Sequence, residues 1–198
     1  HSGENSIFFN IRQKVLLNLS KATFIAPSQH SKDQIIKEYK IKENKINVIY
    51  FGEFDIYREY NTEKPPEISD ELNDFFLLYG RLSKYKGVDL LLEAFRTEYN
   101  LTKDEKLLIA GKGDISDNDI HTGHNNVFLI NRFISNSELT YLISKSKAIL
   151  CPYRDATQSG VAMTAYAFNK PLIATNVGAF SEVIIHNTTG KLINQINP

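Results

Sequence analysis

The sequence predicts an α/β fold, a Rossmann-like doubly wound parallel sheet, and three observations predict it. From about residue 22 onward, short β-branched apolar runs alternate with longer segments of helical period. Most of the short runs are apolar throughout, as expected of strands covered on both faces. The chain has 198 residues, 42% of them hydrophobic, which is enough for a sizeable core.

In chain order, the first strand is expected over residues 23–27 and a helix over 31–39, followed by a second strand over 46–51. Residues 57–70 hold Pro65, Pro66 and many polar side chains, and they read as a linker or boundary loop. The run Phe75, Phe76, Leu77, Leu78, Tyr79 is the next strand. A helix over 88–97 follows, with Leu90, Leu91, Ala94 and Phe95 at helical spacing. Strands at 106–110 and 127–130 flank a polar stretch, 114–126, read as a solvated loop. Its His121 and His124 are three apart but have no cysteine or completed ligand set beside them. Ser135 and Glu138 form a capping-box pattern ahead of a helix over 136–145. The remaining strands fall at 148–152, 171–175 and 191–193, and the remaining helices at 160–168 and 179–186.

Charge and cysteine usage exclude several classes. Lys plus Arg and Asp plus Glu both number 23, so no net field favours nucleic acid as a partner. A single cysteine, Cys151, cannot form an internal disulfide, and no apolar run is long enough for a membrane span or signal sequence, so the chain is expected to be cytoplasmic. It opens on His1 and its one methionine is Met163, giving the expectation of a cut or processed piece.

Three loops could carry chemistry. Gly80, Arg81, Lys84, Lys86 and Gly87 follow the strand at 75–79 and precede a helix. There a helix N-terminus, close backbone approach and two cations would suit a diphosphate, although a basic solvated turn explains the residues as well. Gly111, Lys112 and Gly113 follow the strand at 106–110, as a tight turn or a ligand contact. The run from Tyr153 through Arg154, Asp155, Ala156, Thr157, Gln158, Ser159 and Gly160 to Val161 leads into a helix. Its last three amides could hold phosphate oxygens, or Ser159 or Thr157 could simply cap the helix. In a doubly wound sheet the three loops converge on one crevice. Walker, GxGxxG, HExxH and G-x-S-x-G patterns are all missing, and Cys151 reads as a small core residue.

The segments GRLSKYKGVDLLLEAF, LLIAGKGD, VFLINRFISNSELTYLISKSKAILCPY and ATQSGVAMTAYAFNKPLIATNVGAFSEVIIHNTTGKLI resemble, in order and spacing, the donor-binding half of glycosyltransferase family 4. The resemblance runs from about residue 22 to 194 and is strongest from Phe75. It implies the GT-B architecture, with two Rossmann-like domains around the active site. It also implies transfer of a sugar from a nucleotide-sugar with retention, without metal or other cofactor. Arg81 and Lys86 match the catalytic cations that stabilise the donor diphosphate. Gly80 belongs to the same motif, and Gly111 matches a glycine of the pocket wall. Arg132 and Phe133 match the region lining the nucleobase, mainly through its backbone, and Ser159, Gly160 and Val161 match the phosphate-capping loop.

One departure stands out: the family's pair of glutamates aligns with Ala156 and Thr164. Thr164 keeps one hydrogen-bonding group, and Asp155 could stand in for the first carboxylate if the loop shifts by one residue. The ATQSGV and AY pattern resembles a bacterial surface-polysaccharide branch, with a capsular or lipopolysaccharide chain as product. Residues 1–28 are then expected to be a remnant of the acceptor domain and crossover, and 29–198 the nucleotide-sugar domain without its closing helices. The glycan or lipid-linked acceptor would bind the missing half, and the full-length enzyme could touch the inner face of the membrane. The alternatives are a GT-B nucleotide-sugar epimerase and a non-catalytic nucleotide-binding module.

Overall fold

A computed structural model describes residues 13–96, 105–115, 126–157 and 159–194. His1, His121, His124 and Gln158 lie outside the described residues. The chain divides into two compact units, His1–Phe51 and Gly52–Pro198. The boundary expected after residue 28 falls inside the first unit, between its first strand and its helix.

The first unit pairs β1, Phe24–Ala26, in parallel with β2, Ile46–Val48. Between them lies α1, Gln29–Tyr39. Helix α1 starts earlier than its apolar period suggests because the Ser28 hydroxyl accepts from the Ser31 amide at 3.0 Å. Strand β2 stops at Val48, short of the expected residue 51, because the three residues of β1 offer no longer edge to pair with. Ala26, Ile41 and Ile46 form a small core of this unit.

The second unit is a six-stranded, wholly parallel sheet. Its strands are β3, Phe75–Tyr79; β4, Leu107–Ala110; β5, Val127–Ile130; β6, Ser146–Cys151; β7, Leu172–Thr175; and β8, Gly190–Ile193. They lie in the order β5-β4-β3-β6-β7-β8, so the winding reverses between the neighbours β3 and β6. That is the strand order of a Rossmann-type doubly wound sheet, in which ligands bind beyond the carboxyl ends at the reversal.

The all-apolar strands are explained by a core on each face. Leu78, Leu107, Ile109 and Leu150 pack with Val88, Leu91 and Leu92 of α2, Val88–Arg96. On the other face Phe75, Leu77, Leu108 and Ile149 pack with Leu142 and Ile143 of α3, Asn136–Lys145, and with Ala162 and Met163 of α4, Gly160–Ala167. Each of these large side chains is worth roughly 1.5–3 kcal/mol when fully buried. The capping box at Ser135 and Glu138 is present in both directions.

Two expectations change. The helix expected over 179–186 shrinks to α5, Phe180–Val183, because the chain from Ile184 turns into β8. The Thr188 and Thr189 amides bond the Ile185 carbonyl, and Asn187 donates to Gly190. Residues 57–70 are not a free linker. The Thr140 hydroxyl donates to the Tyr57 carbonyl at 2.8 Å, Glu63 donates to Ser137, and Pro65, Ile68 and Leu72 are buried. The segment straps the second unit's helices.

Candidate functional site

At the carboxyl end of β3 the chain turns through Gly80 and Arg81 into a short 3-10 helix, Lys84–Lys86. Arg81 is exposed, whereas Lys86 is only 4% exposed. The Lys86 ammonium donates to the Tyr79 carbonyl at 2.7 Å and lies 5.5 Å from the centre of the Tyr153 ring. Among the described residues no carboxylate pairs with it. Burial therefore lowers its pKa from the ordinary lysine value.

The loops after β3 and β4 meet through two glycines. A Cβ on Gly111, whose φ is +148°, would sit 1.9 Å from the Gly80 carbonyl oxygen. A Cβ on Gly80 would sit 2.6 Å from the Lys86 Nζ, so the missing side chain is the space that the ammonium fills. The two substitutions therefore part company. Gly111→Ala sets backbone against backbone and is expected to cost about 2 kcal/mol or more in denaturant unfolding. Gly80→Ala, at φ +100°, also strains the backbone but meets only the movable tip of a lysine, so its smaller stability loss should come with displaced ammonium and weakened anion binding in calorimetry.

A cleft opens over these loops, lined by Gly80, Arg81, Gly111, Gly113, Phe133 and Arg154, among others. The Asn131 side chain fixes its β4 edge, accepting from the Gly113 amide and donating to the Gly113 and Ile115 carbonyls. Phe133 projects 78% exposed at the rim. Its carbonyl accepts from Arg132, whose guanidinium also forks onto Glu67 and Glu138 at 2.6–2.9 Å. The Arg132 side chain is thus committed to ion pairs, leaving the Phe133 ring facing the cleft.

On the far side of the reversal, α4 begins with Ser159 in the cap position, yet Ser159 makes no side-chain capping bond. The amides of Gly160 and Val161 are among the first N–H groups of the helix, which no intrahelical carbonyl can accept. The Val161 carbonyl accepts from the Tyr79 hydroxyl at 3.4 Å, tying the start of α4 to the end of β3. Asp155 is exposed. Thr164 is 3% exposed and its hydroxyl donates to the Gly160 carbonyl at 2.9 Å, so it is not brought to the cleft. Ala156 and Ser159 line a separate small apolar hollow with Met163 and Phe180.

The structure adds contacts that sequence reasoning did not assign. Arg154 forks onto Asp89 at 2.5–2.6 Å and donates to the Lys84 carbonyl, while its amide bonds the Tyr85 carbonyl at 2.7 Å. These bonds sew the loop after β6 to the loop after β3. The Ser83 hydroxyl in the cleft wall is buried and has no hydrogen-bond partner among the described residues. Arg154 and Ser83 stand inside the motifs quoted above, but nothing in their spacing announced these contacts.

Residues 73–198 match the family model described as Glycosyl transferases group 1, and that span contains every loop of this cleft. The chain belongs to this glycosyltransferase family. It is 28% identical over 188 residues to an uncharacterized glycosyltransferase of Methanocaldococcus jannaschii, covering 88% of this chain and 47% of the relative. It is likewise 28% identical over 182 residues to the capsular polysaccharide biosynthesis glycosyltransferase CapM of Staphylococcus aureus, covering 85% and 47%. Among solved structures, Anabaena HepE in complex with UDP-glucose superposes with a TM-score of 0.69 at 21% identity, over 90% of this chain and 51% of that one. A glycosyltransferase from Rickettsia africae gives a TM-score of 0.68 at 22% identity, over 93% and 53%. The chain thus spans about half the length of the relatives it matches, and its fold is that of GT-B glycosyltransferases. No helix among the described residues is long and apolar enough to cross a membrane.

Proposed function

We propose that this chain is the donor-binding part of a retaining glycosyltransferase that takes a sugar from a nucleotide-sugar to a glycan or lipid-linked acceptor in cell-surface polysaccharide synthesis. The observation that carries the reading is the coincidence of the family match with a cationic, glycine-lined cleft at the sheet's reversal point. The UDP-glucose complex of HepE and the capsular role in CapM's name support the donor class and the pathway class.

In this reading Arg81 and Lys86 stabilise the diphosphate as negative charge grows on it during cleavage of the glycosyl bond, and the Gly160 and Val161 amides hold phosphate oxygens. Gly80 and Gly111 let the backbone come close. The Phe133 ring and the backbone of Arg132 border the nucleobase. Asp155 and Ser159 lie on the phosphate-side loop, and Thr164 supports the start of α4 from inside the helix. The cations come from the chain itself, so transfer needs no metal or other cofactor. The reaction is placed on the cytoplasmic side, at the inner face of the membrane, with no nucleic-acid partner. By itself the chain binds donor without transferring.

Calorimetric titration of the 198-residue chain with UDP, GDP, dTDP, ADP and their glucose or mannose conjugates tests the reading. One base class should bind, and the double variant Arg81→Ala, Lys86→Ala should abolish it. Silence from every nucleotide, or undiminished binding by the double variant, would overturn it.

A further inference from the structure

We propose that Tyr153 is a positioning residue for Lys86, its ring face holding the buried ammonium beneath Gly80 at the β3/β6 reversal. The inference rests on Lys86 binding the donor diphosphate, as argued above.

A lysine is a poor choice for a fixed charge. Four rotatable bonds must be frozen, at up to about 2 kcal/mol of entropy, and an ammonium has no fork to pre-organise it. The usual device is a carboxylate partner, and among the described residues Lys86 has none. Among the described residues, the groups that face it are neutral. From β3 comes the Tyr79 carbonyl. From β6 comes Cys151, whose buried thiol is pushed up to about 12 and stays protonated. From the loop after β6 comes Tyr153, whose phenol burial also pushes up. A carboxylate here would neutralise the charge that a diphosphate needs, whereas an aromatic face restrains the cation and leaves its charge uncancelled. The 5.5 Å spacing is within the range of a cation–π contact.

The ring is itself held from several sides. Tyr153 is 4% exposed. Tyr85, beside Lys86 in the 3-10 helix, meets it edge-on with centroids 5.7 Å apart. Phe180, at the start of α5 beyond β7, meets it from another side at 5.4 Å. The Thr175 hydroxyl at the end of β7 donates to the Tyr153 carbonyl, and Ser159 hydrogen-bonds its side chain. The bond from the Arg154 amide to the Tyr85 carbonyl locks the two loops in register. A residue that only filled space would not need an arrangement that fixes where its face points.

The test uses Tyr153→Leu and Tyr153→Met, which remove the face while filling the hole, and Tyr153→Phe, which keeps it. The titration of Lys86 is followed through its ¹³Cε resonance in the whole chain, assigned with Lys86→Met. Losing the ring should lower the midpoint by about one pH unit, because the face favours the charged form. Tyr153→Phe should restore it. The tightest binder among UDP, GDP, dTDP and ADP should lose about tenfold in affinity with Leu or Met and recover with Phe. In a Lys86→Met background the loss should vanish. An unmoved Lys86 midpoint in both ring-less variants, or a binding loss that persists without Lys86, would overturn the proposal. If no nucleoside diphosphate binds the parent chain, the donor reading fails, and the Lys86 titration still decides the role of Tyr153.

Discussion

Lys86→Met is expected to lower kcat/KM for the nucleotide-sugar by about 10²–10³ in the protein carrying both halves, and at the same time to raise the melting temperature of this chain. The first number is the usual cost of removing one preorganised donor from a site where charge develops. The second follows from burial. With its pKa below the ordinary 10.5, the folded state pays for holding the Lys86 charge out of water. That cost is full at any pH below the lowered folded value. It shrinks as pH rises through that value and is gone above 10.5, so the wild-type chain should gain stability with pH across this window. Methionine matches the length of the lysine stem and carries no charge, so the variant should lose the slope and melt higher, by about 2–4 °C for each kcal/mol released. Binding runs the other way. Wild-type affinity for a nucleoside diphosphate should fall as pH rises through the folded Lys86 value, while that of the variant stays flat. Thermal melts and calorimetry from pH 6 to 10 check both. A variant that melts lower would mean that the Tyr79 carbonyl and Tyr153 ring more than repay burial, and the site would not be strained for function.

How far the sequence already told this story depends on the range of the contacts involved. The doubly wound sheet was legible because each strand announces itself locally through runs such as 75–79 and 107–110, and because parallel pairing demands a helix between strands. The loops were legible because glycine beside lysine at a strand end is a local pattern. What Arg132 does was not legible. Its guanidinium meets Glu67, 65 residues earlier, in a stretch whose prolines and polarity read as a linker. Nor was the seat of Lys86, since Tyr153 comes to it only when β6 lies beside β3. Residues 179–186 misled for the opposite reason: their local helical preference lost to a turn made with β8. Thr164, aligned with a glutamate by resemblance, spends its hydroxyl on the carbonyl four residues back, a contact that alignment cannot see.

Arg132→Met should be the most destabilising single change outside the apolar core that leaves the backbone unstrained, at about 2 kcal/mol. Arg132 answers two carboxylates at once, and they differ. The Glu67 side chain is 38% exposed, so water would screen it on its own and its share of the loss is small. The Glu138 side chain is 10% exposed, and one of its oxygens also accepts from the Ser135 amide to close the capping box of α3. Without the arginine, Glu138 must keep its charge with little water around it or take up a proton and weaken the bond it accepts from the Ser135 amide. The pH dependence separates these contributions. Arg132 and the cap hold the Glu138 carboxyl down at about 2, against 4.5 for an unperturbed glutamate. Its stabilising share is therefore present in full above 4.5 and is lost as pH falls toward 2. The gap between wild type and Arg132→Met in urea unfolding should be widest at pH 7 and clearly narrower at pH 3, closing further toward pH 2. Arg132→Met, Glu138→Gln should recover part of the loss at pH 7, because glutamine still caps the Ser135 amide and carries no charge to strand. A gap that is the same at both pH values would show that the loss does not come from the Glu138 charge, and would overturn this account of Arg132.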